Sequence, residues 1–152
     1  MKEFDALKTS EELIEKLFSD KLDKGGYPYL DHLHEVSNKV DGENAKIIGL
    51  LHDVIEDTDV TGEDLIAMGF DEKIVESIQI LTRKDKEDYR DYIDRIISSN
   101  NVDALTVKLA DLNHNMDISR IKNPTFKDMD RVEKRYRPAY IKIQTKLEEF
   151  KW

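Results

Sequence analysis

Apolar residues recur at steps of three and four along almost the whole chain, and no segment alternates apolar and polar residues with the period of two that marks a half-buried strand. Only three prolines and six glycines interrupt 152 residues, so little stands in the way of helix after helix. The pattern predicts an all-α fold, one helical bundle over residues 1–152, with no linker, repeat or low-complexity block to divide it. Thr9-Ser10-Glu11-Glu12 reads as a capping box opening a first helix to about Ser19. Pro28 suits the first turn of a second helix reaching about Val40, and a third begins near Glu43. Thr61-Gly62-Glu63-Asp64 caps a short helix to Met68, and Gly69-Phe70-Asp71 turns the chain into another through Ile74, Ile78 and Leu81. The charged stretch 83–90 leads to a helix bearing Tyr92, Ile93 and Ile96, and 102–115 forms the next. A C-terminal helix over about 128–151 carries a stripe from Val132 to Phe150, which Pro138 should bend or restart.

A chain of this length can bury a core without staples. There is no cysteine, so a metal would have to be held by His, Asp, Glu or Asn. No apolar run reaches membrane-spanning length, and Met1-Lys2-Glu3-Phe4-Asp5 lacks the apolar heart of a signal peptide. A cytoplasmic protein without membrane partners is expected. The formal net charge of −9 argues against nucleic acid as a partner, because such binding draws on a dense basic surface. A small phosphorylated ligand would need local cations to overcome the overall field. Homo-oligomerisation is compatible with the sequence.

The chemistry concentrates in three places. Leu50-Leu51-His52-Asp53-Val54-Ile55-Glu56-Asp57-Thr58 ends an apolar run with an imidazole and three carboxylates. Uncompensated ions at a buried helix end are costly, and a divalent cation is a natural compensation. Gly26-Tyr27-Pro28-Tyr29-Leu30-Asp31-His32 and Lys108-Leu109-Ala110-Asp111-Leu112-Asn113-His114-Asn115 offer further donors. Of the four histidines, His32, His52 and His114 fall in these segments and His34 just beyond the first.

His32, His52, Asp53 and Asp111 form a mixed nitrogen and oxygen set suited to Mn²⁺, Fe²⁺ or Zn²⁺, with a position left for water. Side chains of the adjacent His52 and Asp53 diverge by about 100° on a regular helix, so both reach one ion only beyond a helix end or in a crevice between helices. Glu56, with Asp57 beside it, is placed to orient or deprotonate water.

For an isolated His-Asp pair, a core histidine with capping acids is the commoner outcome, and it is the three clusters together that argue for metal-dependent phosphate-ester hydrolysis. His34, two residues from His32, faces elsewhere, and His114 is expected to orient a ligand. The cations available to a ligand are Lys24, Arg83, Lys84 and Lys108, the last at a three-residue spacing from Asp111. A run such as Arg83-Lys84-Asp85-Lys86 is more often a solvated loop.

The order Gly-x-Pro-Tyr-x-x-His, His-Asp-x-x-Glu-Asp-Thr and Lys-Leu-Ala-Asp-x-x-His-Asn-Met resembles the HD-superfamily hydrolase domain of RelA/SpoT-type alarmone enzymes, and in size their short stand-alone relatives. The likeness runs over roughly residues 10–120. It implies an all-helical HD-type bundle holding one Mn²⁺ through His32, His52, Asp53 and Asp111, with Glu56 and Asp57 positioning and activating water. Asn115 matches a nucleotide-contacting residue, and Tyr89 lies near the family's nucleotide pocket. The implied reaction removes pyrophosphate from the 3′ position of a guanosine tetra- or pentaphosphate, as in the stringent response.

The chain departs from the pattern at three points. Asp23, beside Lys24, stands where the family commonly has an arginine nine residues before the first metal histidine. Leu33 replaces a proline and Ile118 a threonine. The lost cation bears on the substrate more than on the metal. Two other readings are a phosphohydrolase for another nucleotide, such as a deoxynucleoside monophosphate, and a nucleotide-binding module without turnover. The intact acid and ligand set counts against the module.

Overall fold

A computed structural model describes residues 4–151; Met1–Glu3 and Trp152, which the sequence reading includes in its one domain, lie outside the described residues. Among the described residues there are ten α-helices and no strand, and the one β feature is an isolated bridge between Leu22 and Pro28. The helices are α1 (Ala6–Phe18), α2 (Tyr29–Asn38), α3 (Glu43–Leu51), α4 (Val54–Asp57), α5 (Gly62–Met68), α6 (Glu72–Leu81), α7 (Tyr89–Ser98), α8 (Val102–Asn115), α9 (Phe126–Arg131) and α10 (Arg137–Glu148). None is long and apolar enough to cross a membrane. The expected all-α bundle is what forms.

The core is built around α3, which buries Ala45, Ile47, Ile48, Gly49, Leu50 and Leu51 and packs on α1, α2, α6 and α8. Each fully buried Leu or Ile stabilises the fold by about 1.5–3 kcal/mol. Gly49 allows α2 to come close, since a Cβ there would stand 3.0 Å from the Cα of Ser37. Apolar on nearly every side, α3 runs through the middle of the molecule and delivers its C-terminal end, His52, to the interior.

Sequence boundaries hold for several elements. The Thr61 capping box, with Asp64 returning the bond, opens α5. Gly69, at φ 113°, ends that helix in the left-handed conformation that glycine tolerates best. Asn101 caps α8 through the Ala104 amide at 2.9 Å.

The first helix differs from expectation. It starts at Ala6 with Asp5 as its cap, accepting from the Lys8 amide at 3.0 Å, so the Thr9 motif lies inside a helix already formed. The Ser10 hydroxyl there donates back to the Leu7 carbonyl at 2.7 Å. At the other end, α9 runs through a π-turn (Val132–Tyr136) into α10. Pro138 sits in the first turn of α10, where its missing N–H costs little, and the widened turn just before it restarts the helix. Ala139 and Ile143 pack inward, with α10 lying on α7 and α8.

Candidate active site

His52 ends α3 and Asp53 precedes α4, so the helix breaks between them. That break resolves the divergence expected of neighbours: His52 Nε2 lies 3.2 Å from Asp53 Oδ2. His32 arrives from α2 and Asp111 from α8. Ligating atoms of His32, His52 and Asp53 all lie within 4.8 Å of one another. Asp111 Oδ1 joins them, 2.9 Å from His32 Nε2 and 3.3 Å from His52 Nε2.

The two imidazoles are oriented in the same way. His52 Nδ1 donates to the Gly49 carbonyl at 2.6 Å. His32 Nδ1 faces His114 Nδ1 at 2.7 Å, with the two rings stacked. Burial, then the charges of His32 and Arg120, depress His114 to about 4. A neutral His114 can therefore accept a hydrogen bond from the His32 Nδ1–H. Each ring thus spends Nδ1 on the protein and turns Nε2 towards Asp111, the arrangement by which neighbouring groups fix a metal-binding histidine.

The charged groups at this corner act strongly on one another. Burial disfavours a charged His52, but Asp53 and the hydrogen bond to Asp111 override it and push its pKa up to about 9. Asp111 is buried, yet Lys108 and the two histidines hold its carboxyl well below the usual range. Lys108 Nζ sits 2.9 Å from Asp111 Oδ2, and both side chains are nearly hidden from water. Tyr29 donates its hydroxyl to Asp53 Oδ2, and burial followed by the Asp53 charge raises its pKa. Two imidazole nitrogens and two carboxylates, oriented from behind and drawing positive charge, fit a divalent transition metal.

This corner opens into a cavity of about 410 Å³, within the usual range for a small-molecule site. Glu56 and Asp57, on the single turn of α4, both line it. Glu56 Oε1 accepts the Arg83 amide at 2.7 Å. Partial burial raises its pKa; the Arg83 bond opposes the rise, and Asp53 and Asp57 add to it. Asp57 pairs with Lys21 at 3.2 Å.

Of the sequence-predicted ligand-binding residues, Lys24, Arg83, Tyr89, Lys108 and Asn115 line the cavity. Lys84 does not: its side chain points to solvent while its amide donates to Glu87 at 3.0 Å. Asn115 donates to Asp111 Oδ1 at 3.3 Å. The Tyr89 hydroxyl is buried without a partner among the described residues, and the Arg83 and Arg135 guanidinium groups lie 5.6 and 5.7 Å from its ring centre. His34 is exposed.

Several lining residues have no signature in the sequence. Lys21 lies 4.3 Å from the centre of the Tyr29 ring, and Arg120, Arg131 and Tyr136 reach the cavity from segments beyond the third motif. Only the tertiary packing brings them there. Tyr29 lies within the first motif, and its place one turn before His32 was the signal that could have found it.

No family model matches the chain. A curated GTP pyrophosphokinase from Myxococcus xanthus is 33% identical over 132 residues, covering 75% of this chain. The match spans 17% of that relative's length. The solved structure of a metazoan ortholog of SpoT, described as hydrolysing ppGpp and playing a role in starvation responses, superposes with a TM-score of 0.67 at 20% identity. The match covers 98% of this chain and 95% of that one. The resemblance to the RelA/SpoT-type hydrolase domain therefore holds for the fold over nearly the whole chain.

Proposed function

We propose that this chain, which has the fold of a SpoT-type ppGpp hydrolase, is a metal-dependent phosphohydrolase that removes pyrophosphate from the 3′ position of guanosine tetra- or pentaphosphate. The observation that carries the reading is one corner: His32, His52, Asp53 and Asp111 converge from three helices on one point, beside a cavity that Glu56 and Asp57 also line. These four residues would hold the metal, Mn²⁺ by the resemblance and with Fe²⁺ or Zn²⁺ as chemical alternatives. Such an ion, when bound, supplies positive charge to a phosphoryl group and makes water more acidic.

The chain's own residues account for the rest. Glu56 stands at the cavity wall with its pKa raised by partial burial, which makes its carboxylate a better proton acceptor than a free one. The Arg83 amide fixes the direction of its carboxylate. Water oxygen adds to phosphorus as the bond to the ribose 3′ oxygen breaks. The proton the water gives up passes to Glu56, and the departing 3′ oxygen takes up a proton, from Glu56 or from solvent, to leave as the free 3′ hydroxyl. Asp57, held by Lys21, keeps a second carboxylate at the same wall. Lys24 and Arg83 offer charge to the ligand's phosphates, and the unpartnered Tyr89 hydroxyl offers a hydrogen bond.

The test is phosphate and pyrophosphate release by the purified protein with Mn²⁺ over a nucleotide panel. Pyrophosphate from ppGpp with GDP as co-product is the expected result. Inorganic phosphate from nucleoside monophosphates alone would replace the substrate while keeping the hydrolase. Release from none of them would leave the nucleotide-binding reading.

A further inference from the structure

The cavity is lined in part by an ion pair between distant segments, Asp23 with Arg120. Arg120 Nη2 lies 2.6 Å from Asp23 Oδ2, across 97 positions of sequence. The side chains are largely withdrawn from water, at 23% and 13% of full exposure. Each partner is also tied down locally. Asp23 Oδ1 accepts the Gly25 amide at 2.9 Å and the Tyr27 amide at 3.0 Å. Arg120 Nη1 donates to the His114 carbonyl, near the end of α8, at 3.2 Å.

The two backbones nearly touch, since a Cβ on Gly25 would stand 2.2 Å from the Arg120 carbonyl oxygen. Lys24, between Asp23 and Gly25, lines the cavity, so its place depends on how the loop is held. The acid at position 23 is therefore more than a lost cation. Its carboxylate bridges Arg120 and two amides of the loop that carries Lys24.

We propose that Asp23 and Arg120 are positioning residues for the substrate: their pair clasps loop 19–28 to segment 117–121 and so holds Lys24 where a phosphorylated ligand meets it. This rests on the hydrolase reading above. A residue that acts by placing a binding group should alter KM and leave the chemical step alone. Partners in one contact should not contribute additively.

Asp23→Asn keeps an acceptor for the two loop amides and removes the charge facing Arg120, and Arg120→Gln removes the other half. With Mn²⁺ and ppGpp, each should raise KM about tenfold with kcat within about twofold of the parent, and the double variant should be no worse than either single. Lys24→Ala should raise KM in the parent and add little in the Asp23→Asn background. Amide hydrogen exchange over residues 21–28 should quicken in both single variants, a readout that needs no turnover. If the parent hydrolyses no nucleotide, the hydrolase reading falls and the substrate role with it, while the exchange rates still decide whether the clasp exists. Unchanged exchange, additive effects on KM, or a loss of kcat at unchanged KM overturns the proposal.

Discussion

Asp53 faces His52 and takes the Tyr29 hydroxyl, at the junction of α3 and α4. Asp53→Ala should abolish metal binding while the helical circular dichroism persists, because Leu50, Leu51 and Val54, not Asp53, hold this part of the core. Metal analysis checks it, and full occupancy in the variant would remove Asp53 from the ligand set. Glu56→Gln should keep the metal and lose turnover by about 10²–10⁴-fold, the usual worth of a general base. A variant with near-native kcat would pass the water-activating role to Asp57. At this scale the sequence was informative where a motif keeps its members within one turn, as in His52-Asp53 and Glu56-Asp57. It was silent on Lys21 and Arg120, whose partners lie 36 and 97 positions away and meet them only through packing.

Among the elements, the connection from α6 to α7 matters to the cavity because it carries Arg83. Arg95 of α7 grips it with three bonds, to Glu87 Oε2 at 2.9 Å, Glu87 Oε1 at 3.0 Å and the Thr82 carbonyl at 2.9 Å, and makes a fourth to the Ile80 carbonyl near the end of α6 at 3.0 Å. The Arg95 bond, with smaller help from the Lys84 amide and charge, pulls the Glu87 pKa down from 4.5 to about 2. A carboxylate depressed in the folded state stabilises it above the unfolded pKa and loses that contribution as pH falls through the folded one.

Glu87→Gln should therefore cost about 1 kcal/mol at pH 7, the scale of a well-aligned charge-assisted pair. In urea unfolding, the gap between parent and variant should narrow as pH drops from 4.5 towards 2. A gap independent of pH would mean that the loop is held by packing instead. Elements with strong local signals were legible from sequence. Helix α8 has the predicted limits because Asn101 caps it and its apolar spacing is unbroken. The start of α1 was misplaced because a capping-box pattern also occurs mid-helix, where a true cap one turn earlier has already taken the role. The π-turn before Pro138 has no sequence mark of its own beyond the proline.

For the whole molecule, the formal charge of −9 and the proposed metal site beside the cavity acids Asp53, Glu56, Asp57 and Asp111 predict two separate effects of divalent cations on stability. Any added salt screens the general repulsion, and this acts alike on every variant. A specific site adds ligand-binding energy to the folded state alone, worth about 2.7 kcal/mol when the free ion stands at 100 times its Kd. For a chain of this size that corresponds to a rise in Tm of roughly 5–10 °C. Imidazole and carboxylate donors together favour Mn²⁺, Fe²⁺ or Zn²⁺ over Mg²⁺, which prefers oxygen and holds its water. Thermal unfolding in Mn²⁺ should therefore show the full rise in the parent. Equal Mg²⁺ should give a smaller one, and Asp53→Ala in Mn²⁺ should rise no further than screening allows. Equal shifts in all three would reduce the effect to screening, and the four-residue site would lose its claim to a resident metal.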